Sequence, residues 1–280
     1  MSRTDVAPER VFAGSDALED TSVRVFACDE RYPAPVAERV LPDGVVHLVI
    51  TLGDLQRGDR NADLRCLVGG ASCTPTRIVL AGDVSQVCVR LGIGTAAAVL
   101  GVPAREVTDD GVALDALWGA AAHELFERLA AAPTEAARVH IMSHALAARL
   151  RLAETPRVIY EAVRRISRAG GRVRIAALAR ALGIGERRLQ QLFDEHVGLT
   201  PKALARLARF RAVLAACAQA RPPAWTELAL SHGFYDQAHF ANELRELAGL
   251  TPTQLAQSEF GFLQDDVTTA EIASSHARPS

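Results

Sequence analysis

One stretch of this chain is written twice. Gly198-Leu-Thr-Pro201 recurs as Gly249-Leu-Thr-Pro252, and upstream Leu178-Ala179 with Gly183 matches Leu228-Ala229 with Gly233. A repeat of this kind constrains the fold more than any other feature, because both copies must adopt the same local geometry. Each copy predicts a short apolar helix (175–182; 225–231) ending at a glycine that can take the left-handed conformation. A tight turn follows, Ile184-Gly185 or Phe234-Tyr235. A second helix then runs over 186–197 or 236–248 and stops at Gly198 or Gly249. Thr200 and Thr251 can each cap a further helix that has proline at its first position. Helix, glycine turn, helix at this length is the helix-turn-helix pattern, whose second helix can enter a major groove.

The second helices carry suitable side chains. In the first copy Leu189, Leu192 and Phe193 form the inward stripe and leave Arg187, Arg188, Gln190 and Gln191 outward. In the second copy Phe240, Leu244 and Leu247 face inward, with Gln237, Ala238, His239, Asn242 and Arg245 toward the exposed side. Arginine pairs bidentately with guanine, and Gln or Asn with adenine. The intervening helix, Lys202 to about Gln219, would be about 27 Å long, against about 34 Å between successive major grooves on one face of DNA. A single chain can therefore address two adjacent grooves.

Charge agrees with this division. Residues 1–154 hold 15 Lys/Arg against 21 Asp/Glu, whereas residues 155–260 hold 15 against 9. Only the second segment is suited to a polyanion. Lys202, Arg206 and Arg209, following a helix start, suit phosphate.

The first half reads as β-rich, then helical. Gly44–Thr51, Arg77–Ala81 and Val84–Leu91 are expected strands, the last two separated by a Gly82-Asp83 turn. Helices are expected over 95–100, over 114–131, and from a Thr134 cap to about Ala153. The expected fold is an α+β N-terminal domain, a small sheet or partial barrel with helices, followed by an all-α double helix-turn-helix domain. The domain limits read as 1–154 for sensing or dimerisation and 155–260 for DNA, with 261–280 a polar, disordered tail.

Residues 172–260 resemble the DNA-binding domain of the AraC family of transcriptional regulators. The resemblance rests on Ile175-Ala-Ala-Leu-Ala-Arg-Ala-Leu-Gly183, Leu189-Gln-Gln-Leu-Phe193, Gly198-Leu-Thr-Pro201, Gly233-Phe234, Asp236-Gln-Ala-His-Phe240 and Gly249-Leu-Thr-Pro252. It implies base contacts from Arg187, Gln190 and Gln191, and from Ala238 and Asn242; Gln237, on the same exposed face, is a further expected base contact. Arg188, Thr200, Lys202, Arg206, His239 and Arg245 are the expected phosphate contacts. The second helix departs from the family pattern at Ala238, Asn242 and Leu244-Arg245-Glu246. Its acidic pair, Glu243 and Glu246, weakens phosphate attraction, so the second unit is expected to read fewer bases. Leu41-Pro-Asp-Gly44 and Leu100-Gly-Val-Pro-Ala-Arg-Glu106 resemble an uncharacterised N-terminal domain found ahead of such units. The expected partners are double-stranded DNA, RNA polymerase, a small-molecule effector of unknown identity and a second copy of the chain. Activation is the commoner sign of regulation in the family.

Other chemistry is poorly represented. His140 and His144 lie four apart, with His123 near in sequence, but no further ligand has a metal-site spacing. Cys66 and Cys73 read as free thiols, and Gly92-Ile-Gly94 lacks the rest of a phosphate-loop fingerprint. No cofactor or metal is expected, and no catalytic motif is evident. The rival readings are an enzyme with a DNA-binding appendage, catalysing in residues 1–154, and an interaction module that no longer binds DNA. The polar start of the chain lacks a signal-peptide core, and no apolar run reaches the ~18 residues a membrane span needs, so a cytoplasmic protein is expected.

Overall fold

Two long strands organise the first half of the chain. The computed structural model describes residues 10–13, 23–61, 63–151, 155–219, 225–257, 260–262 and 268–272. The chain start, the 154/155 boundary and most of the region after 262 fall outside them. Strands β1 (Arg10–Ala13), β2 (Val23–Val40), β3 (Val46–Thr51), β4 (Arg57–Gly58), β5 (Cys66–Gly69) and β6 (Thr76–Leu91) come first. Helix α1 (Ala96–Leu100), a short 3-10 turn (Ala104–Val107) and β7 (Gly111–Ala113) lead to α2 (Leu114–Trp118), α3 (Ala120–Ala130) and α4 (Glu135–Leu150). The second half holds α5 (Arg157–Arg168), α6 (Ile175–Ala181), α7 (Glu186–His196), α8 (Pro201–Gln219), α9 (Trp225–Ser231), α10 (Gln237–Ala248) and α11 (Pro252–Gln257). Strands β8 (Phe260–Phe262) and β9 (Thr268–Ile272) follow.

β2 and β6 pair antiparallel from Val40/Thr76 to Arg24/Arg90, with a register shift between Tyr32 and Val36. The shift falls at Pro33-Ala34-Pro35, where two residues without N–H groups cannot feed a ladder. Opposite it, Gly82 has φ +72°. The expected Gly82-Asp83 turn instead lies within one continuous strand, and the extra residues of the shift, Pro33-Ala34-Pro35 against Ala81, stand on β2. The sheet order is β7-β5-β3-β6-β2-β1-β8, with β4 added on β6 and β9 on β2.

Alternation along the strands buries Val23, Val25, Leu48, Ile50, Val68, Val87 and Val89 in a core shared with Val99, Leu125, Leu129, Val139, Met142 and Leu146 from the helices. Thr134 caps α4 as its sequence predicts, its hydroxyl accepting from Ala137 N at 3.2 Å. The single helix expected over 114–131 is two helices, divided at Gly119 (φ +57°, ψ −136°), a backbone state that a helix cannot contain.

A third correction concerns the region after 260. β8 lies parallel to β1, and β9 pairs antiparallel with β2 from Val23↔Ile272 to Ala27↔Thr268. The expected disordered tail instead supplies strands. The flank of Val23–Ala27 turned away from β6 offers unpaired backbone groups, which a Thr-Thr-Ala-Glu-Ile segment can satisfy.

Candidate nucleic-acid interface

The two copies of the motif make the same turn between their helices. Ile184 N donates to Ala179 O at 3.1 Å, and Phe234 N to Ala229 O at 3.0 Å. Gly183 N donates to Arg180 O at 3.0 Å, and Gly233 N to Leu230 O at 3.1 Å. Both glycines are left-handed, at φ +71° and +79°. Each first helix thus ends in a Schellman-type cap that turns the chain sharply into the second helix. Asp236 starts α10 by accepting from His239 N at 2.7 Å. Thr200 starts α8 by accepting from Ala203 N at 3.1 Å, and Thr251 starts α11 by accepting from Gln254 N at 3.3 Å.

The stripes fall as the periodicity predicts. Leu189, Leu192 and Phe193 of α7 are buried, as are Phe240, Leu244 and Leu247 of α10. Arg187, Arg188, Gln190 and Gln191 stand exposed on α7, and Gln237, Ala238, His239, Asn242 and Arg245 on α10. Asn242 Oδ1 accepts from Arg245 Nη1 at 3.0 Å, so these two polar groups are presented as a pair. Phe240 locks the second unit, its ring 5.8 Å from Trp225 and 5.1 Å from Phe234. Between the units, the 19 residues of α8 span about 28 Å at 1.5 Å per residue.

Thr200 and Lys202 are exposed at the start of α8. Arg206 sits differently: its Nε lies 3.2 Å from Glu243 Oε1, and its Nη2 also pairs with Glu246. Arg209 Nη2 and His239 Nε2 approach the same Glu243 oxygen at 3.7 and 3.6 Å. Arg209 also lies over the Phe234 ring, 5.5 Å from its centre. The acidic pair of α10 therefore acts as an internal counterion to α8. It draws Arg206 and His239 toward protein carboxylates, beyond any general effect on the field around α10.

Several contributors were not visible in the sequence. Tyr235, in the turn before α10, is 87% exposed. Arg172 Nη1 donates to Ser231 O at 3.2 Å, tying the start of the helical domain to the second unit. A buried charge cluster joins the sheet to α8. Asp43 Oδ2 accepts from Arg90 Nε at 3.2 Å, Asp43 Oδ1 lies 3.1 Å from His47 Nε2, and Arg211 of α8 adds its charge. In the register, Arg90 stands between Arg24 and His47, one basic residue from each of three adjacent strands. Burial opposes ionisation of Asp43, but His47, Arg90 and Arg211 together hold its carboxyl well below the usual range.

His123, His140 and His144 are exposed, and no group of three metal-ligating side chains occurs among the described residues. Cys66 and Cys73 are free. Burial raises both thiols, Cys73 to about 11, which keeps them protonated and unreactive at neutral pH. No helix among the described residues is long and apolar enough to cross a membrane.

Fold and motif together define a double helix-turn-helix protein with a sheet-rich N-terminal region. More narrowly, residues 178–258 match the family described as a helix-turn-helix domain, and they form an AraC-type domain of the kind that binds DNA in transcription regulation. Residues 18–113 match a domain of unknown function (DUF6597). No curated protein matches the chain. Among solved structures, the chain is similar to a transcriptional regulator from Chromobacterium violaceum described as AraC-type (20% identity, 36% of this chain and 90% of that one, TM-score 0.34). It is also similar to the C-terminal domain of AraT, a response regulator from Geobacillus stearothermophilus (16%, 41% and 95%, 0.35). Over more of its length it is similar to unsaturated fatty acid-bound ToxT from Vibrio cholerae (11%, 85% and 95%, 0.39).

Proposed function

We propose that this chain is a sequence-specific, cytoplasmic transcription regulator, not an enzyme. Residues 155–260 grip DNA, and residues 1–154 sense an effector or pair with a second copy. The observation that carries this reading is the duplication of one hydrogen-bonded motif, each copy presenting an exposed polar face on its second helix. Arg187, Gln190 and Gln191 read bases from α7; Gln237, Ala238 and Asn242 do so from α10. Arg188, Thr200, Lys202 and Arg245 anchor phosphates. Arg206 and His239, engaged by Glu243, serve the second unit chiefly by bracing it. The shared Asp43 cluster gives the sheet a physical route to α8, by which an effector or partner can alter how the reading helices are presented. Dimer formation, contact with RNA polymerase and activation complete the reading.

Salt dependence tests it. Log affinity for a selected operator should fall linearly with log salt, at a slope of about −0.9 per phosphate contact. A flat profile would leave the interaction-module reading in its place. Arg187→Ala is expected to lose about 1–3 kcal/mol of discrimination at one base pair. In a site-selection assay, one position should relax while the others hold; an unchanged logo would remove Arg187 from base reading. Lys202→Ala is expected to weaken all sequences alike and to reduce the salt slope by about one contact. A loss confined to the preferred operator would contradict a phosphate role.

A further inference from the structure

The sheet-rich region touches both helix-turn-helix units, at neighbouring positions of the repeat. Two residues beyond α7, the carbonyl of Gly198 accepts from Thr108 Oγ1 at 2.8 Å, a hydroxyl that also lies 3.1 Å from Ala104 O. At the end of α10, the carbonyl of Ala248 accepts from Arg39 Nη1 at 2.9 Å, and Arg39 is buried. Gly198 and Gly249 are the same position of the repeat. Both are approached so closely that a Cβ would collide with Thr108 Oγ1 at the first and with Arg39 Nη1 at the second. Thr108 follows the 3-10 turn and Arg39 lies near the end of β2, so the two anchors come from separate parts of one packed body.

The chemistry suits the task. The last carbonyls of a helix lack intrahelical partners and carry the negative end of its dipole, so a guanidinium at Ala248 O is favourable, and the Thr108 hydroxyl satisfies a carbonyl just past the end of α7. Held at one end each by a common body, α7 and α10 cannot pivot independently about α8. Their separation and mutual angle are then set by the sheet as well as by the helix that joins them. We propose that Arg39 and Thr108 are positioning residues for DNA recognition, which fix the distance between the two operator segments that the chain accepts. The inference rests on the regulator reading above, and it assigns the N-terminal region a direct part in specificity with no contact to DNA.

Operator spacing is the quantity to measure. An operator selected with the full-length wild-type protein would be remade with one base pair inserted or deleted between its two segments. Each step displaces one segment by about 3.4 Å and about 35° relative to the other. Wild-type affinity should fall about tenfold at each altered spacing, a penalty like that of one mismatched base pair. The double variant Arg39→Met, Thr108→Val should bind the best operator several-fold more weakly. It should also lose most of the spacing penalty, so that the three duplexes bind within about threefold of one another. Arg39→Lys, which keeps a cationic donor, should restore much of the penalty when Thr108 is retained. A double variant that keeps the wild-type spacing profile overturns the proposal, as does one that weakens every spacing equally. Wild-type protein that selects no operator at all would instead bring down the regulator reading on which the proposal rests.

Discussion

Asp43→Asn is expected to cost about 3–5 kcal/mol of stability at pH 7, because removing one partner of a buried ion pair leaves the other uncompensated. Asp43 is 5% exposed and Arg90 only 2%. Among the described residues, Arg90 Nη1 and Nη2 have no hydrogen-bond partner, so its bond to Asp43 is its polar anchor. Asparagine keeps the shape and an acceptor, and loses the charge that Arg90, His47 and Arg211 share.

The pH dependence follows from the direction of the Asp43 shift. A carboxyl held below its ordinary value contributes stability that is complete above the unfolded pKa, about 3.9, and is lost as pH falls through the lower folded value. The difference between wild type and variant should therefore shrink as pH falls below about 4. Urea midpoints at pH 7 and pH 3 provide the measurement. A loss under about 1 kcal/mol at pH 7, or a difference that grows in acid, would show that the carboxylate is not the counterion described.

Phe240→Ala is expected to lower stability by about 3–5 kcal/mol, the usual loss when a buried aromatic is cut to a methyl group. The damage should be local. Phe240 stacks on Trp225 and meets the edge of Phe234, joining α9, the turn and α10 into one small core. Trp225 is one of two tryptophans in the chain, so its fluorescence should report the change directly. On DNA, protection should shrink to the segment read by α7. A full-length footprint from a protein with altered Trp225 emission would mean that α10 is not needed for the second contact.

The helical half was legible because its determinants are local. The turn bonds of Gly183 and Ile184 reach only to Arg180 and Ala179, and the duplication supplied an internal control. The sheet was less legible. β2 carries Arg31, Tyr32, Pro33 and Pro35, a composition that argues against a strand, yet it pairs with β6 on both sides of a register shift there. β9 has no partner nearer than β2, more than two hundred residues earlier. The same distance hid the anchors of the reading helices: Arg39 and Ala248 are 209 positions apart, and Thr108 and Gly198 are 90. At Glu243 and Glu246 the sign of the effect was readable from charge alone. Their engagement with Arg206 was not, because it depends on how α10 lies against α8.

The pairing of β9 with β2 also orders events during synthesis. A ribosome delivers Val23–Ala27 early and Thr268–Ile272 only after both DNA-reading units have emerged. Through nearly the whole of translation, one rim of the nascent sheet stays open to any extended peptide nearby, and only the late strand seals it.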